Sequence, residues 1–196
     1  CGDVADEPPV SKPQPFSMLY TGRLNRRYGL ELLLQAMKEL QDPNIELWLC
    51  GSGEMEEEIR TYAAQDSRIR FFGFLPHEEA VQLQKQATVL VNPRTNQGEY
   101  TKYSFPSKTM EYMASGRPVM MFRLDGIPGE YDSFLTYIPE ESAASIRDTV
   151  ESLRKLSPSE LDAMGTRGRE FVLKNKNRNV QMRRVLNFIH KEQSDA

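Results

Sequence analysis

Cysteine is scarce in this chain of 196 residues: Cys1 and Cys50 are the only two. Two thiols cannot build the disulfide framework of a small secreted domain or a cysteine-rich zinc site, and Cys50 lies in an apolar run where a buried, reduced thiol is expected. Histidine is as rare, with His77 near one helix start and His190 near a helix end by pattern, so no catalytic triad and no metal site is assigned to them. No apolar run approaches the ~20 residues that span a bilayer and no secretory leader is visible, so a cytoplasmic location is expected. Neither sign of charge dominates, since 25 Lys+Arg against 28 Asp+Glu leave a formal net charge of −3. Global attraction to nucleic acid is thereby excluded, and any bound anion must be held locally. The chain also lacks an initial Met, and its opening is proline-rich; together these suggest a piece of something longer.

What is present is an ordinary globular composition, 39% hydrophobic and 27% charged, enough for one domain of generous size. Residues 1–15 hold four prolines among few apolar groups and read as a linker or tail, with the domain proper over 16–192. Phe16 to Thr21 is a short apolar strand ending at Gly22, and from Tyr28 to Gln41 the residues Leu30, Leu33, Leu34, Met37 and Leu40 recur at helical spacing. The unit then repeats. Ile45–Cys50 predicts a second strand and about Glu54–Gln65 a helix; Ile69–Phe72 a third strand and Pro76 to about Gln86 a helix; Thr88–Asn92 a fourth strand. Val119–Phe122 predicts a fifth strand and Leu135–Ile138 a sixth, followed by helices over Glu140–Leu156, Ser159–Lys174 and Asn179–His190, the middle one opened by Ser157-Pro158-Ser159-Glu160. Strands alternating with helices at this spacing force parallel pairing, and hence an α/β, Rossmann-like, doubly wound sheet of about six strands.

The most informative stretch is Tyr103 to Pro118. Proline suits a first helical position and Gly116 a residue just past a helix end, so a helix is predicted from near Pro106 to near Ser115. At ~100° per residue Met110, Met113 and Ala114 share one side, and Ser107, Lys108, Glu111 and Ser115 another. The polar side combines free backbone N–H groups, hydroxyls and a cation, which suit phosphate, with a carboxylate one turn on that accepts from sugar hydroxyls. Elsewhere, Gly22-Arg23-Leu24-Asn25-Arg26-Arg27 offers three guanidinium groups after the first strand, and Gly51-Ser52-Gly53 lets backbone approach an anion after the second. The latter has no third glycine three residues on, so the dinucleotide fingerprint of a dehydrogenase is absent. Phe74, judged by residue type alone, is expected in the core. The polar loop Arg94 to Lys102 is long for a structureless connection and is expected to close over a ligand.

The segment "FPSKTMEYMASGRPV" resembles the nucleotide-sugar-binding segment of retaining glycosyltransferases of the GT-B fold, in the family 4 branch that builds bacterial surface polysaccharides; the resemblance runs from about Phe16 to Phe188. It implies that Arg23, in "GRL", lies against the donor diphosphate, that "GSGE" borders the nucleotide, and that Phe74 and Leu75 pack the base. Glu111 matches the second acid of the family's E-x7-E pair, which holds ribose hydroxyls. Two positions depart from the pattern: Tyr28 stands where a lysine is usual, and Tyr103 where the first acid belongs. On this resemblance Arg23, Lys108 and Glu111 are the catalytic candidates. Gly22, Gly51, Ser52, Gly53, Phe74, Leu75, Tyr103, Ser104, Phe105, Pro106 and Ser107 are the nucleotide-sugar-binding ones.

The implied activity is hexosyl transfer from a nucleotide diphosphate sugar to a glycan or lipid-linked acceptor in polysaccharide biosynthesis, with no metal and no cofactor. The implied partner is an N-terminal acceptor domain of the same protein, missing from this chain, through which the whole enzyme could associate peripherally with the inner face of a membrane. Two rivals are weighed: a nucleotide-sugar epimerase on the same fold, which needs acid/base carboxylates, and a non-catalytic interaction module that has lost its site, motivated by Tyr28 and Tyr103.

Overall fold

The computed structural model describes residues 15–96 and 107–176. Six strands, β1 (Phe16–Arg23), β2 (Ile45–Ser52), β3 (Ile69–Gly73), β4 (Val89–Asn92), β5 (Val119–Phe122) and β6 (Thr136–Ile138), form one sheet in the order β3-β2-β1-β4-β5-β6. Every neighbouring pair is parallel. The strand order reverses direction between β1 and β4, and in such sheets the crevice beyond the carboxyl ends of the two strands at that point is open for a ligand.

Six helices cover the sheet: α1 (Leu30–Glu39), α2 (Glu56–Gln65), α3 (His77–Gln86), α4 (Ser107–Ala114), α5 (Ala143–Arg154) and α6 (Pro158–Asn175). Because successive strand residues point to opposite faces, β1 feeds two cores. Met18 and Tyr20 join the apolar faces of α1, α2 and α5 on one side, while Leu19 joins residues of α3, α4 and α6 on the other. The central strands are buried on both faces, which is why they read as continuous apolar runs. No helix among the described residues is long and apolar enough to cross a membrane.

Several boundaries differ from the sequence reading for local reasons. The helix expected from Tyr28 is interrupted: Arg26–Tyr28 is a 3-10 turn, Gly29 follows in the left-handed region at φ 74, and α1 begins at Leu30. A Cβ on Gly29 would stand 2.0 Å from the Pro93 carbonyl oxygen. The helix expected from Glu140 starts at Ala143, capped by the Ser142 hydroxyl on the Ser145 N–H at 3.1 Å. A reciprocal capping box, Ser157 N–H to Glu160 Oε2 at 2.7 Å and Glu160 N–H to Ser157 Oγ at 3.3 Å, starts α6. A further 3-10 turn, Gly129–Phe134, had not been anticipated. The helix expected over 179–190 lies outside the described residues.

α4 buries Thr109, Tyr112 and Met113 and packs the partly buried Met110 and Ala114 against the same core, so the side expected from spacing does pack and is widened by Thr109 and Tyr112. Tyr112 ties that side to the sheet. β4 pairs with β1 through Met18 and Leu19, and two residues further along β1 the fully buried Tyr112 hydroxyl accepts from the Thr21 N–H at 2.8 Å and donates to the Thr21 carbonyl at 3.1 Å. A phenol thus replaces a strand neighbour. Tyr112→Phe should leave both Thr21 backbone groups buried without a partner and cost about 1–3 kcal/mol. Urea unfolding with an unchanged slope and a lowered midpoint checks this, and a loss below about 0.5 kcal/mol would contradict it.

Candidate functional site

Two adjoining cavities open at the carboxyl ends of the strands around the β1/β4 crevice. The first, about 300 Å³, is lined by Tyr20 and Tyr28, by Asn92 and Arg94 at the end of β4, and by Ser107 at the start of α4. The second, about 470 Å³, is lined by Cys50, Gly51 and Ser52 at the end of β2, by Phe74, Leu75, His77 and Ala80, and by Thr21 and Glu111. Gly22, Arg23 and Lys108 belong to both. The end of β1 and the first turn of α4 therefore divide one polar depression into two halves.

Lys108 lies across Gly22: a Cβ on that glycine would stand 2.9 Å from Lys108 Cε and 3.2 Å from Nζ, a contact the flexible lysine end can relieve, whereas the φ of 144 favours glycine whatever the space. The ammonium is 5.4 Å from the Tyr112 ring centroid. Burial pushes the Lys108 pKa below the ordinary lysine value, and the neighbouring Glu111 charge recovers only part of the shift. Glu111 is held from below: Gln84 of α3, 1% exposed, donates Nε2 to Glu111 Oε1 at 2.7 Å and to Thr21 Oγ1 at 3.2 Å.

The three arginines after β1 separate. Only Arg23 lines the cavities. Arg26 is paired with Glu31 and, at 2.6 Å, with Glu58, and Arg27 lies over the Tyr28 ring at 5.1 Å. Phe74, expected in the core, is 75% exposed at the mouth of the second cavity; β3 is an edge strand and nothing in the described residues covers the turn that follows it. Gly53 is not among the lining residues, because its N–H is taken by Glu56 Oε1 at 3.1 Å as the chain turns toward α2. Cys50 is buried as expected, and burial pushes its thiol pKa up. Tyr103, Ser104, Phe105 and Pro106 lie outside the described residues, as do residues 97–102 of the polar loop. Sequence reasoning missed Asn92, Tyr20 and Gln84, and saw Arg94 only as the head of that loop. Their signal is spatial, since each comes from a different element.

Chemically, the shared wall offers two cations beside a helix start, which favour a polyanion. The second cavity adds an exposed aromatic face for a planar ring and one carboxylate to accept from hydroxyls. Among the described residues the first cavity has no carboxylate in its lining, and the second has Glu111. Among the described residues no three His, Cys, Asp or Glu side chains gather as a metal site would require.

The model of a family described as glycosyl transferases group 1 matches residues 15–155. The chain is 26% identical over 189 residues to the putative colanic acid biosynthesis glycosyltransferase WcaL of Escherichia coli K12, covering 92% of this chain and 47% of WcaL. It is 27% identical over 158 residues to the amylovoran biosynthesis glycosyltransferase AmsK of Erwinia amylovora, covering 77% and 38%. It thus spans half or less of the length of these relatives. Anabaena HepE, solved in complex with UDP, shares the fold with a TM-score of 0.69 over 93% of this chain and 50% of HepE, at 14% identity.

The desolvated Lys108 generates a prediction about the ligand-free protein. Its folded pKa lies below the ordinary 10.5, so between the two values the unfolded chain binds the extra proton and stability rises with pH. Below both values the penalty is complete and constant. Lys108→Met should therefore raise Tm at pH 7, by about 2–4 °C for each kcal/mol recovered, and its advantage should shrink as pH climbs toward 10.5. Thermal unfolding at several pH values checks this; a lower Tm for the variant at pH 7 would contradict it.

Proposed function

The chain belongs to the group 1 glycosyltransferases, and from that premise we propose that it is the donor-binding half of a retaining hexosyltransferase of polysaccharide biosynthesis. The observation that carries the reading is the shared wall at the β1/β4 crevice, where Arg23 and Lys108 face both cavities. The donor diphosphate lies against these two cations and the start of α4. The nucleoside occupies the second cavity, its base on Phe74 and Leu75 beside Gly51 and Ser52, its ribose hydroxyls on Glu111. The sugar extends into the first cavity, toward Asn92 and Arg94. In this chemistry the protein stabilises the departing diphosphate and orients a sugar with oxocarbenium character, work for positioned cations and N–H groups. We assign it no metal and no cofactor; the nucleotide diphosphate sugar is a substrate.

The acceptor, a glycan or lipid-linked saccharide, is bound by an N-terminal domain of the same protein, and transfer requires both halves. The enzyme works in the cytoplasm, with any contact to the inner face of a membrane made through that other domain. What supports this is the biosynthetic role named for WcaL and AmsK and their greater length. An epimerase needs acid/base carboxylates, and among the described residues Glu111 is the one acid lining either cavity.

A thermal-shift panel of UDP, GDP, ADP and CDP and their sugars tests the reading; stabilisation by none of them would favour a non-catalytic module. Glu111→Ala should weaken nucleoside diphosphate binding by about 1–3 kcal/mol, the range for a hydrogen bond to a charged group; wild-type affinity by calorimetry would remove Glu111 from the site. Arg23→Ala and Lys108→Ala, singly and together, should show coupling of about 0.5–3 kcal/mol for a nucleoside diphosphate and no effect on the nucleoside. Strict additivity, or equal losses for both ligands, would show that the phosphate is not shared.

A further inference from the structure

Gln84 carries an unusual arrangement for a buried amide. It is 1% exposed in the last turn of α3, its Nε2 serves both Glu111 Oε1 at 2.7 Å and Thr21 Oγ1 at 3.2 Å, and its Oε1 is buried with no hydrogen-bond partner. A carboxylate oxygen can only accept, so the amide must turn its nitrogen toward Glu111, and the orphaned oxygen is the consequence. Leaving such an acceptor unpaired is unfavourable, and an apolar side chain of the same shape avoids it. Stability of the core therefore does not explain a glutamine here. Its nitrogen, however, reaches Glu111, the one carboxylate among the described residues lining the nucleoside-side cavity. Glu111 Oε2 makes no hydrogen bond among the described residues, so one carboxylate oxygen is fixed and the other remains available.

We propose that Gln84 is a positioning residue for Glu111: it pins Oε1 so that Oε2 is presented to the ribose hydroxyls of the donor. The proposal rests on the donor reading of the second cavity given above. The pin is itself anchored, because Thr21, its second partner, is bonded through its backbone to the Tyr112 hydroxyl. α3, β1 and α4 thereby meet at one carboxylate. A ligand with ribose hydroxyls gains from this preorganisation, and a ligand without them does not.

The test uses calorimetric affinities of this chain for UDP and for 2′,3′-dideoxy-UDP, with Gln84→Met and Gln84→Leu and the pair Gln84→Met with Glu111→Ala. Wild type should prefer UDP. Both Gln84 variants should lose about three- to tenfold in UDP affinity, keep their dideoxy-UDP affinity, and unfold at an unchanged or higher Tm. In the Glu111→Ala background Gln84→Met should do nothing further. Equal losses for both ligands with a lowered Tm in both variants would make Gln84 a packing residue and overturn the proposal. A wild-type preference for UDP that Glu111→Ala abolishes and neither Gln84 variant alters would overturn it too, with the donor reading intact. If wild type binds no nucleoside diphosphate, the donor reading falls and this inference with it.

Discussion

The Tyr112 hydroxyl on the Thr21 backbone is the contact on which the site depends. β1 runs out of strand partner on its β4 side after Leu19, and an unpaired buried N–H and C=O would be costly there. The phenol satisfies both. In doing so it fixes how far α4 lies from β1 and which side of α4 faces the sheet. Lys108 and Glu111, one turn and one residue before Tyr112, are then placed over Gly22 and toward Gln84 without any further device. A purely apolar residue at 112 could bury the same area but would fix neither the height nor the rotation of the helix.

The same placement explains why the site stores unfavourable electrostatics. Carrying Lys108 over Gly22 takes its ammonium out of water, and the Glu111 charge compensates only partly because the desolvation is the larger effect. An anion entering the shared wall restores what desolvation removes. In a cavity of reduced dielectric each such contact is stronger than in water. Without an anion in that wall the domain is thus less stable than its core permits.

Much of the fold was legible because its signals are local. Val119–Phe122 is apolar throughout and is a strand with those bounds, and Ser157-Pro158-Ser159-Glu160 forms the capping box its spacing requires. The readings that failed or fell short were those in which a distant element decides. Spacing gave α4 a Met110/Met113/Ala114 face, which packs on the core, but it missed Tyr112, whose hydroxyl bonds to a strand residue 91 positions away. Residue type put Phe74 in the core, but its strand lies at the sheet edge. Arg23, Lys108 and Glu111, which line the cavities, were singled out from sequence because each stands in a recognisable motif. Gln84 was not, since nothing in "AVQLQKQ" distinguishes an amide that crosses to α4 from one that faces solvent.

The departure at Tyr28 looks different once the turn around it is in view. The lysine expected there would join Arg26 and Arg27 in a short 3-10 turn, and in this chain that turn spends its charge elsewhere: Arg26 on Glu31 and Glu58, Arg27 on the Tyr28 ring. The cations that line the cavities instead come from the end of β1, the end of β4 and the first turn of α4. Groups carried on strands and helices hold their geometry better than groups on an exposed turn, and a phosphate is bound more tightly by donors already in place. If the donor reading holds, Tyr28 does not mark a decayed site. It adds an aromatic wall to the first cavity, beside the cations Arg23, Arg94 and Lys108.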